Sequence, residues 1–564
     1  MSTYAKSAVL HEPAVSEDAG RKPRLMLAVM LLSVFMSVAN IFIVNVATPS
    51  IQRGLHAGFS DVQFVIASYT LAFAISLIIG GRLGDRFGRK RMLLLGVAGF
   101  TVSSVLCGIS SGVTMLIVAR IIQGLSAALI SPQVLSLIQV NYPPDKRGAI
   151  FGMYGAAQGI AASTGQVIGG LLLQLNPGGL DWRTVFFFNV PVGIVLLFMI
   201  PSIRESKADE SAKLDWAGAL LVAIGLLMLV YPLVQGQKEG WPIGLIASLI
   251  LSVPMLAAFA WYEKRLLRHG HIPFMNVELF GQRMFTVGMM IVFLLMCSQA
   301  AFFLVTAYFL QSGLGLTALQ AGFVILPMGL GYFAASLLSS RASARLGPHV
   351  LTLGTTLTVA GFLALALSVH ATGILPGGSV WVPALAVLGL GQGFIAAPLT
   401  NIVLSKVRSS HIGSASGILT TGMQVAFAIG TGLIGIVWLN ATGHHADSVG
   451  KQVAQQLQQR MPAYASMSAE QRGAVLETLR ACYPLLARSS DSSAVPADCS
   501  IAAADASPAS HLYADGVRQA TAQNYADSYL LCLFILAALA AVMFPPVLAL
   551  GRKRSPAAPS VPGS

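Results

Sequence analysis

Residues 81–91 read GRLGDRFGRKR, a charged and glycine-rich segment between two long apolar runs. Its glycines, Gly81, Gly84 and Gly88, permit a tight turn between two helices. Asp85 places a carboxylate beside the ends of two helices, and the helix dipole favours negative charge near a helix N-terminus. A simple basic anchor would explain the Arg and Lys residues of this segment, but it would explain neither the aspartate nor the glycines.

The composition of the whole chain is that of a protein whose surface mostly contacts lipid. Of its 564 residues, 55% are hydrophobic and 10% are charged, whereas soluble domains carry about 25% charged residues. A net charge of +13 would suggest a nucleic-acid partner for a soluble chain. Here the Lys and Arg residues cluster in alternate gaps between apolar runs, which indicates a multispanning membrane protein and no nucleic acid.

The apolar runs are long enough to be membrane-spanning helices, which need roughly 20 residues to cross a bilayer core about 30 Å thick. A lipid-facing strand would alternate in polarity, and these runs do not. The sequence therefore predicts an all-α polytopic membrane protein. Its fourteen predicted spans are residues 25–47, 62–80, 92–110, 114–138, 149–173, 185–200, 216–234, 243–262, 284–310, 317–338, 350–370, 380–403, 414–439 and 528–550.

The charges between the spans predict the orientation. Both tails and six of the gaps together hold 25 Lys and Arg residues, whereas the six short gaps on the opposite side hold three. Because positive residues accumulate on the cytoplasmic side, both termini are predicted to be cytoplasmic. The first run is too long for a signal-peptide core, so it is interpreted as the first span. We expect a multi-pass protein of a bacterial inner membrane.

One gap on the predicted outer side, residues 440–527, is much longer than the others. It is polar and rich in Ala, Gln and Ser, with amphipathic stretches around 449–461 and 469–482. Loops of this length are usually functional or disordered. A solvated cap without specific chemistry is the alternative interpretation.

The cysteines give that segment one specific prediction. Cys482 and Cys499 share it, on the side where disulfides persist. Cys107, Cys297 and Cys532 lie in apolar runs, which makes them poor partners for either thiol of the loop. We predict a Cys482–Cys499 disulfide that orders the segment, with two free thiols as the alternative.

The segment at 81–91 resembles the signature loop of the major facilitator superfamily, in which the aspartate and the first basic residues help to latch two halves of a transporter. The resemblance implies that Asp85 and Arg89 are gate residues. It also implies that Gly81, Gly84 and Gly88 set the turn between the two helices.

Further motifs resemble the fourteen-helix drug-exporter branch of this superfamily. They are NIFIVNVATPS at 40–50, ARIIQG at 119–124, GAAQGIAASTGQVIGG at 155–170 and DWRTVFFFNVPVG at 181–193. The third resembles an antiporter motif but has Gln166 where proline is usual, and Asn40 replaces an aspartate that is common in the branch. The resemblance implies a drug:proton antiporter that needs no cofactor.

The implied architecture is the major facilitator fold, with two six-helix bundles and two helices inserted between them. The predicted parts are a cytoplasmic tail (1–24), an N-terminal bundle (25–200), the inserted helices (201–270), five helices of the C-terminal bundle (271–439), the outer loop (440–527), the last helix (528–550) and a second cytoplasmic tail (551–564).

Arg120, inside the fourth run, is the predicted coupling residue. A charge within the membrane is costly unless it is paired or hydrated, so it marks a functional site. A structural arginine that snorkels to the interface is the alternative. No Asp or Glu falls inside the fourteen runs, and Asp215 and Glu263 flank the inserted spans. The group that would bind a proton is therefore left open between Asp61, Asp85 and Arg120 acting with a bound water.

The predicted substrate site uses amide, Met and Phe side chains, which suit a permissive pocket for amphiphiles. Each of these residues could instead serve helix packing. The candidates are Asn40, Asn45, Gln123, Gln158, Gln166, Gln299, Phe303, Met328, Gln392 and Gln424.

Together these features predict a secondary transporter that exports small amphiphilic compounds, with protons and membrane lipid as its other partners, and a monomer is expected. The sequence has no G-x-x-x-x-G-K-[ST] loop, so we do not expect drive by ATP bound to this chain. An uptake facilitator on the same fold is the first alternative. A membrane enzyme is a second, but it would need clustered His, Asp or Glu at the interface, and the sequence offers none.

Overall fold

The computed structural model describes residues 22–57, 59–207, 215–269, 277–373, 378–405, 407, 412–459, 467–488, 499 and 508–551. Within these ranges we number the long helices in chain order. They are α1 (Lys22–Gly54), α2 (Phe59–Phe87), α3 (Arg89–Gly108), α4 (Val113–Asn141), α5 (Pro144–Leu175), α6 (Asp181–Ser202, with 3₁₀ turns at both ends), α7 (Trp216–Glu239), α8 (Ile243–Arg268), α9 (Arg283–Ala307, continued by π-helical turns to Gly313), α10 (Ala318–Leu346), α11 (His349–Thr372), α12 (Gly378–Leu404), α13 (Ile412–Gln459), α14 (Ala469–Arg488) and α15 (Pro508–Ala541, followed by a short helix at Phe544–Gly551).

Fourteen helices of the described chain are long and apolar enough to cross a membrane, namely all of the above except α14. Each overlaps one predicted run, so the all-α class and the count of fourteen spans are confirmed. Several helices are longer than the runs. α2, for example, extends on both sides of the run at 62–80. Hydropathy detects the part of a helix that lies in hydrocarbon, and its polar ends go unnoticed.

The helices form two bundles and a pair. Helices α1–α6 pack on one another as the first bundle, and α9–α13 with α15 pack as the second. The inserted helices α7 and α8 pack on each other, and α7 also contacts α2 and α13. The pair therefore lies beside the seam, by which we mean the contact between the two bundles. On the other side of the molecule the seam is formed by α5 and α10.

Glycines on α5 allow the two bundles to approach closely along the seam. A Cβ at Gly159 would lie 2.5 Å from the Tyr332 ring of α10, and a Cβ at Gly152 would clash with the Ser336 carbonyl oxygen. Small residues let helix backbones come this near to each other. Gly159 belongs to the glycine-rich motif of the fifth span, so this motif lies at the contact between the bundles.

The long gap at 440–527 is largely helical within its described residues. α13 continues to Gln459 and α15 begins at Pro508, so both extend well past the predicted span ends at 439 and 528. Apolar residues at helical spacing explain the extension, because they pack with α14 in a small core. On α13 these residues are Ala446, Val449, Val453 and Leu457. We call residues 440–459, α14 and 508–527 the cap.

The described part of the cap is held together by a disulfide and a hydrogen bond as well as by its core. Cys482 and Cys499 are joined in a disulfide with their Cα atoms 5.5 Å apart, and both are buried. The Tyr483 hydroxyl donates to the Ala520 carbonyl oxygen at 3.0 Å. The disulfide thus anchors α14 to Cys499, and the tyrosine contact ties α14 to α15, so the helical parts of the cap pack on one another.

Replacing Cys482 with Ser is expected to loosen the cap while leaving transport nearly unchanged. A bond across a sequence separation of 17 stabilises by about 3 kcal/mol in the chain-entropy model. Non-reducing peptide mapping should recover the two linked peptides from the wild type. Limited proteolysis should cut the cap of the variant sooner. Maleimide labelling of both thiols on intact, unreduced cells would contradict the predicted bond.

Candidate gate and transport site

The charged segment at 81–91 is almost entirely helical. α2 continues through Phe87 and α3 starts at Arg89, with only Gly88 between them at a φ of 107°. A left-handed φ of this kind favours glycine. The prediction that Gly81 and Gly84 also set the turn is wrong, because both lie within α2. Gly84 permits close packing instead, since a Cβ there would clash with the Gln133 side chain of α4.

Asp85 and Arg89 form a buried ion pair across this break. Arg89 Nη2 donates to Asp85 Oδ1 at 2.8 Å, and the side chains of Arg89 and Asp85 are only 2% and 5% exposed. Removing one partner of such a pair leaves a buried charge whose desolvation is no longer offset. The structure therefore brings together the two residues that the sequence singled out for the gate.

The segment that follows α6 completes this site. Arg89 Nη1 donates to Ser206 Oγ at 2.8 Å, and the Arg89 amide donates to the Ser206 carbonyl oxygen at 2.8 Å. The Glu205 carboxylate accepts from the amides of Lys90 at 2.9 Å and Arg91 at 3.2 Å, at the N-terminus of α3. An anion at a helix N-terminus is favoured by the free amides and the helix dipole. Glu205 could not be identified from the sequence, because nothing local connects it to a helix that begins 116 residues earlier.

Arg82 connects the charged segment at 81–91 to the inserted helices. It interacts electrostatically with Asp85, with Glu263 of α8 and with Asp215 at the start of α7. The two carboxylates of the inserted helices lie close together, because a Cβ at Gly218 would clash with both of them. From the sequence, Glu263 is predicted to lie just outside the eighth span. It lies within α8 and is fully buried, because the helix continues past the apolar run.

Arg120 is enclosed within the first bundle and is only 1% exposed. Its Nη1 donates to Gln123 Oε1 at 2.6 Å, and its Nε donates to the Val65 carbonyl oxygen at 3.3 Å. Its guanidinium carbon lies 4.2 Å from the centre of the Tyr69 ring, an arrangement that stabilises a cation. Gln123 in turn donates to Ser104 Oγ at 2.8 Å. The snorkelling alternative is excluded, because this side chain does not reach the surface.

The predicted substrate and coupling residues fall into distinct groups. Asn45 lies outside the residues whose side chains are described, and Asp61 is exposed in the first turn of α2. Four candidates are buried and packed between helices in this conformation, namely Asn40, Gln123, Met328 and Gln392. Five are half-buried, namely Gln158, Gln166, Gln299, Phe303 and Gln424.

Several of these side chains meet at or near the seam. The rings of Phe42 on α1 and Phe303 on α9 lie 5.3 Å apart, centre to centre, and so connect the two bundles. Gln299 Nε2 donates to Gln392 Oε1 at 3.2 Å within the second bundle. Asn40, by contrast, accepts from Asn189 Nδ2 at 2.9 Å inside the first bundle. The amide and aromatic groups that can contact a solute therefore come mainly from α5, α9 and α13.

Comparison with known families agrees with this arrangement. A family model described as the Major Facilitator Superfamily matches residues 30–431, which is most of the chain. The chain belongs to this superfamily. It is a multi-pass membrane transporter and not an enzyme.

Individual proteins that the chain resembles narrow the class further. It is 32% identical to the "Probable actinorhodin transporter" of Streptomyces coelicolor, over 92% of this chain and 90% of that protein. It is also 32% identical to the "Tetracenomycin C resistance and export protein" of Streptomyces glaucescens, over 78% and 79% of the two chains. The crystal structure of the human organic anion transporter MFSD10 shares the fold, with a TM-score of 0.52 at 12% identity over 91% of this chain and 99% of that one. Drug and antibiotic exporters are thus among its relatives.

Proposed function

We propose that this protein exports small amphiphilic organic compounds from the cytoplasm in exchange for protons. The observation that carries the proposal is the seam, where the Phe42 and Phe303 rings from the two bundles meet beside half-buried amides. Soft and aromatic side chains adapt to solutes of different shape. Rocking of one bundle against the other would expose such a site to either side of the membrane in turn.

The relatives support export rather than uptake. One is named for export of tetracenomycin C and for resistance to it, and this chain covers 79% of that protein. The chain also covers 90% of the relative named as an actinorhodin transporter. An uptake facilitator on the same fold remains the second candidate, and the direction of transport under an imposed pH gradient separates the two.

The experiment that tests the proposal uses the purified full chain in proteoliposomes. A panel that begins with actinorhodin and tetracenomycin C is offered with a proton gradient imposed and then collapsed. Proton antiport predicts accumulation against the concentration gradient while the pH gradient lasts, and release when it is collapsed. Accumulation of the compound that is the same with and without the pH gradient would contradict proton coupling. Movement in the opposite direction would favour uptake.

Proton coupling needs a group that gains and loses a proton during the cycle. Asp61 is exposed in the first turn of α2. Glu263 is fully buried near Asp215 and Arg82, and all three lie beside the gate. The proton affinity of a buried carboxylate depends on the position of its charged neighbours. We therefore propose Glu263 as the coupling carboxylate, with Arg120 as the fixed charge of the first bundle.

Glu263→Gln is expected to abolish transport driven by a pH gradient while substrate exchange at equal pH continues, because exchange needs no net proton movement. The measurement is uptake into proteoliposomes with and without the gradient. Glu239→Gln, on the exposed end of α7, is the matched control and should behave as wild type. Asp61→Asn should also keep its response to the gradient. Normal gradient-driven transport by Glu263→Gln would assign coupling elsewhere.

We further propose that the protein lies in a bacterial inner membrane, as a monomer, with both termini in the cytoplasm. The gate then faces the cytoplasm and the cap faces outward. Reporter fusions should place residue 505 outside and residue 556 inside, because α15 crosses the membrane between them. Finding both reporters on one side would contradict this topology.

A further inference from the structure

A cavity of about 440 Å³ lies between the inserted helices and the two bundles. Its walls come from α2, α7, α8, α9 and α13 and from Phe280 in the 3₁₀ turn Val277–Gly281, and it is separate from the Phe42–Phe303 contact. The volume is in the range of cavities that bind small organic molecules. None of the residues considered so far for the substrate lines it.

The lining is almost entirely hydrocarbon and thioether. Met289, Met290 and Phe293 of α9 face aliphatic side chains from the other four helices, and the hydroxyls of Thr286 and Thr421 are the polar groups of the side chains. Methionine side chains adapt to irregular apolar shapes. A charged group would be strongly disfavoured in such a lining. The chemistry therefore selects an uncharged alkyl or aryl group.

The cavity lies within the membrane, in the leaflet on the side of the gate. Ile78, Ala260 and Ile418 line it, and they lie nine, eight and six residues from the gate-side ends of α2, α8 and α13. At 1.5 Å per residue these positions are about 9–14 Å from the helix ends. The cavity is therefore at the depth of the acyl chains of that leaflet.

The cavity opens sideways, toward the surrounding lipid. Four of its lining residues are exposed, namely Ala260, Phe280, Thr286 and Met290. α8, which forms one edge of the opening, packs mainly on α7 and leaves most of its own surface uncovered. An apolar molecule dissolved in this leaflet can thus reach the cavity without crossing water.

The inner wall of the cavity belongs to both bundles. Ile78 lies on α2 of the first bundle, whereas Ile418 and Gly422 lie on α13 of the second. The two helices touch at this point, because a Cβ at Gly417 would lie 3.1 Å from the Ile78 Cα. A molecule in the cavity therefore contacts both bundles, and the motion of one bundle against the other would move a substrate.

We propose that this cavity binds the uncharged hydrocarbon part of the exported compound as it arrives from the gate-side leaflet. The proposal rests on the proposed export function and names the class of compound: amphiphiles with an apolar alkyl or aryl group that partition into the membrane. A lipid acyl chain has the same chemistry, so the test separates the two sources.

The test is photolabelling of the full chain in proteoliposomes. One sample receives dodecanol that carries a diazirine on its alkyl chain, and the other contains phosphatidylcholine with the same diazirine on an acyl chain. Peptide mapping then locates the label. The expected result is labelling of the stretches at 256–260 and 418–425 by the alcohol, with displacement by the compound from the panel that is transported best. Lipid labelling of these stretches that the compound does not displace would make the cavity a lipid site and overturn the proposal.

Filling the cavity provides the second arm. Ala260→Phe narrows the mouth, and Gly422→Val fills the inner end, where the new Cβ meets only the flexible tip of Met289. Together they should lower labelling by the alcohol at least about tenfold, because the apolar contact area is lost. Ala257→Phe, exposed one turn away on α8 and outside the lining, should stay within about twofold of wild type. Equal labelling of the filled and control variants would overturn the proposal.

The outcomes also separate this inference from the export function on which it rests. If wild-type vesicles transport a panel compound but the alcohol labels other stretches, the cavity proposal fails and export stands. In the opposite case the alcohol labels the cavity, but no panel compound is transported and none displaces the label. The export proposal then fails, and the proposed role of the cavity in export fails with it.

Discussion

Asp85→Asn is expected to abolish transport while the protein still reaches the membrane. The substitution keeps the shape of the side chain and removes the charge that Arg89 contacts at 2.8 Å in a nearly fully buried site. Losing one partner of a buried ion pair typically costs about 3–5 kcal/mol. A penalty of this size in one conformation would shift the balance between the conformations of the transport cycle by more than about a hundredfold. Arg89→Ala should have the same effect, and it also removes the side-chain hydrogen bond to Ser206 Oγ.

The measurement is substrate accumulation in proteoliposomes, with the amount of protein in the membrane determined in parallel. Arg91→Ala is the matched control on the same segment, because the Arg91 side chain is 76% exposed and its ion pair with Glu205 is long, at 3.8 Å. Exposed pairs of this kind contribute little. Wild-type transport by Asp85→Asn would reduce the segment to a membrane anchor.

Arg82→Gln is expected to destabilise the junction between the gate and the inserted helices. Arg82 is 9% exposed and interacts with Asp85, Glu263 and Asp215. Removing this cation leaves the two carboxylates of the inserted helices to repel each other in a buried setting. The loss should again be about 3–5 kcal/mol. We expect a clear drop in the melting temperature of the purified protein and a loss of gradient-driven transport.

Arg86→Gln is the control for this prediction. Arg86 lies one turn further along α2, but it is exposed and contacts only the face of the Phe87 ring among the contacts described for it. Its replacement should leave both the melting temperature and transport close to wild type. Equal effects of the two substitutions would show that the buried charge cluster contributes no more than a surface charge. The inserted helices would then be held by apolar packing alone.

The number of helices and the charged residues of the segment at 81–91 could be predicted from the sequence, because both depend on local chemistry. A lipid-facing helix must present about 20 apolar residues in a row, and the chain contains fourteen such runs. Charges that interrupt an apolar pattern are conspicuous, so Asp85 and the basic residues around it could be singled out from the sequence. The choice of Arg89 among those basic residues came from the family resemblance, before its contact with Asp85 at 2.8 Å was known. Cys482 and Cys499 could be paired because the other cysteines lie in membrane runs.

Helix ends and long-range partners could not be predicted in this way. The break at 81–91 is a single glycine rather than a loop, because the charged residues of α2 find partners that let the helix continue to Phe87. Glu205 and Glu263 lie in stretches that look like ordinary polar flanks. Their roles depend on the helices that pack beside them, and hydropathy contains no information about those neighbours. The apolar cavity has the same origin, since five separate helices form its walls.

The sequence by itself thus determined the class of the protein, the number of its spans and the residues whose charge is costly to bury, because each of these follows from the transfer of individual residues into lipid. Only the tertiary structure decided which of those charges face each other, which polar residues are consumed by helix packing, and where space remains between the bundles. Arg120 illustrates the division: its burial cost is evident from its place in an apolar run. Gln123 lies one turn further along the same helix, whereas the contacts of Arg120 with the Val65 carbonyl and the Tyr69 ring follow only from the packing of α2 on α4.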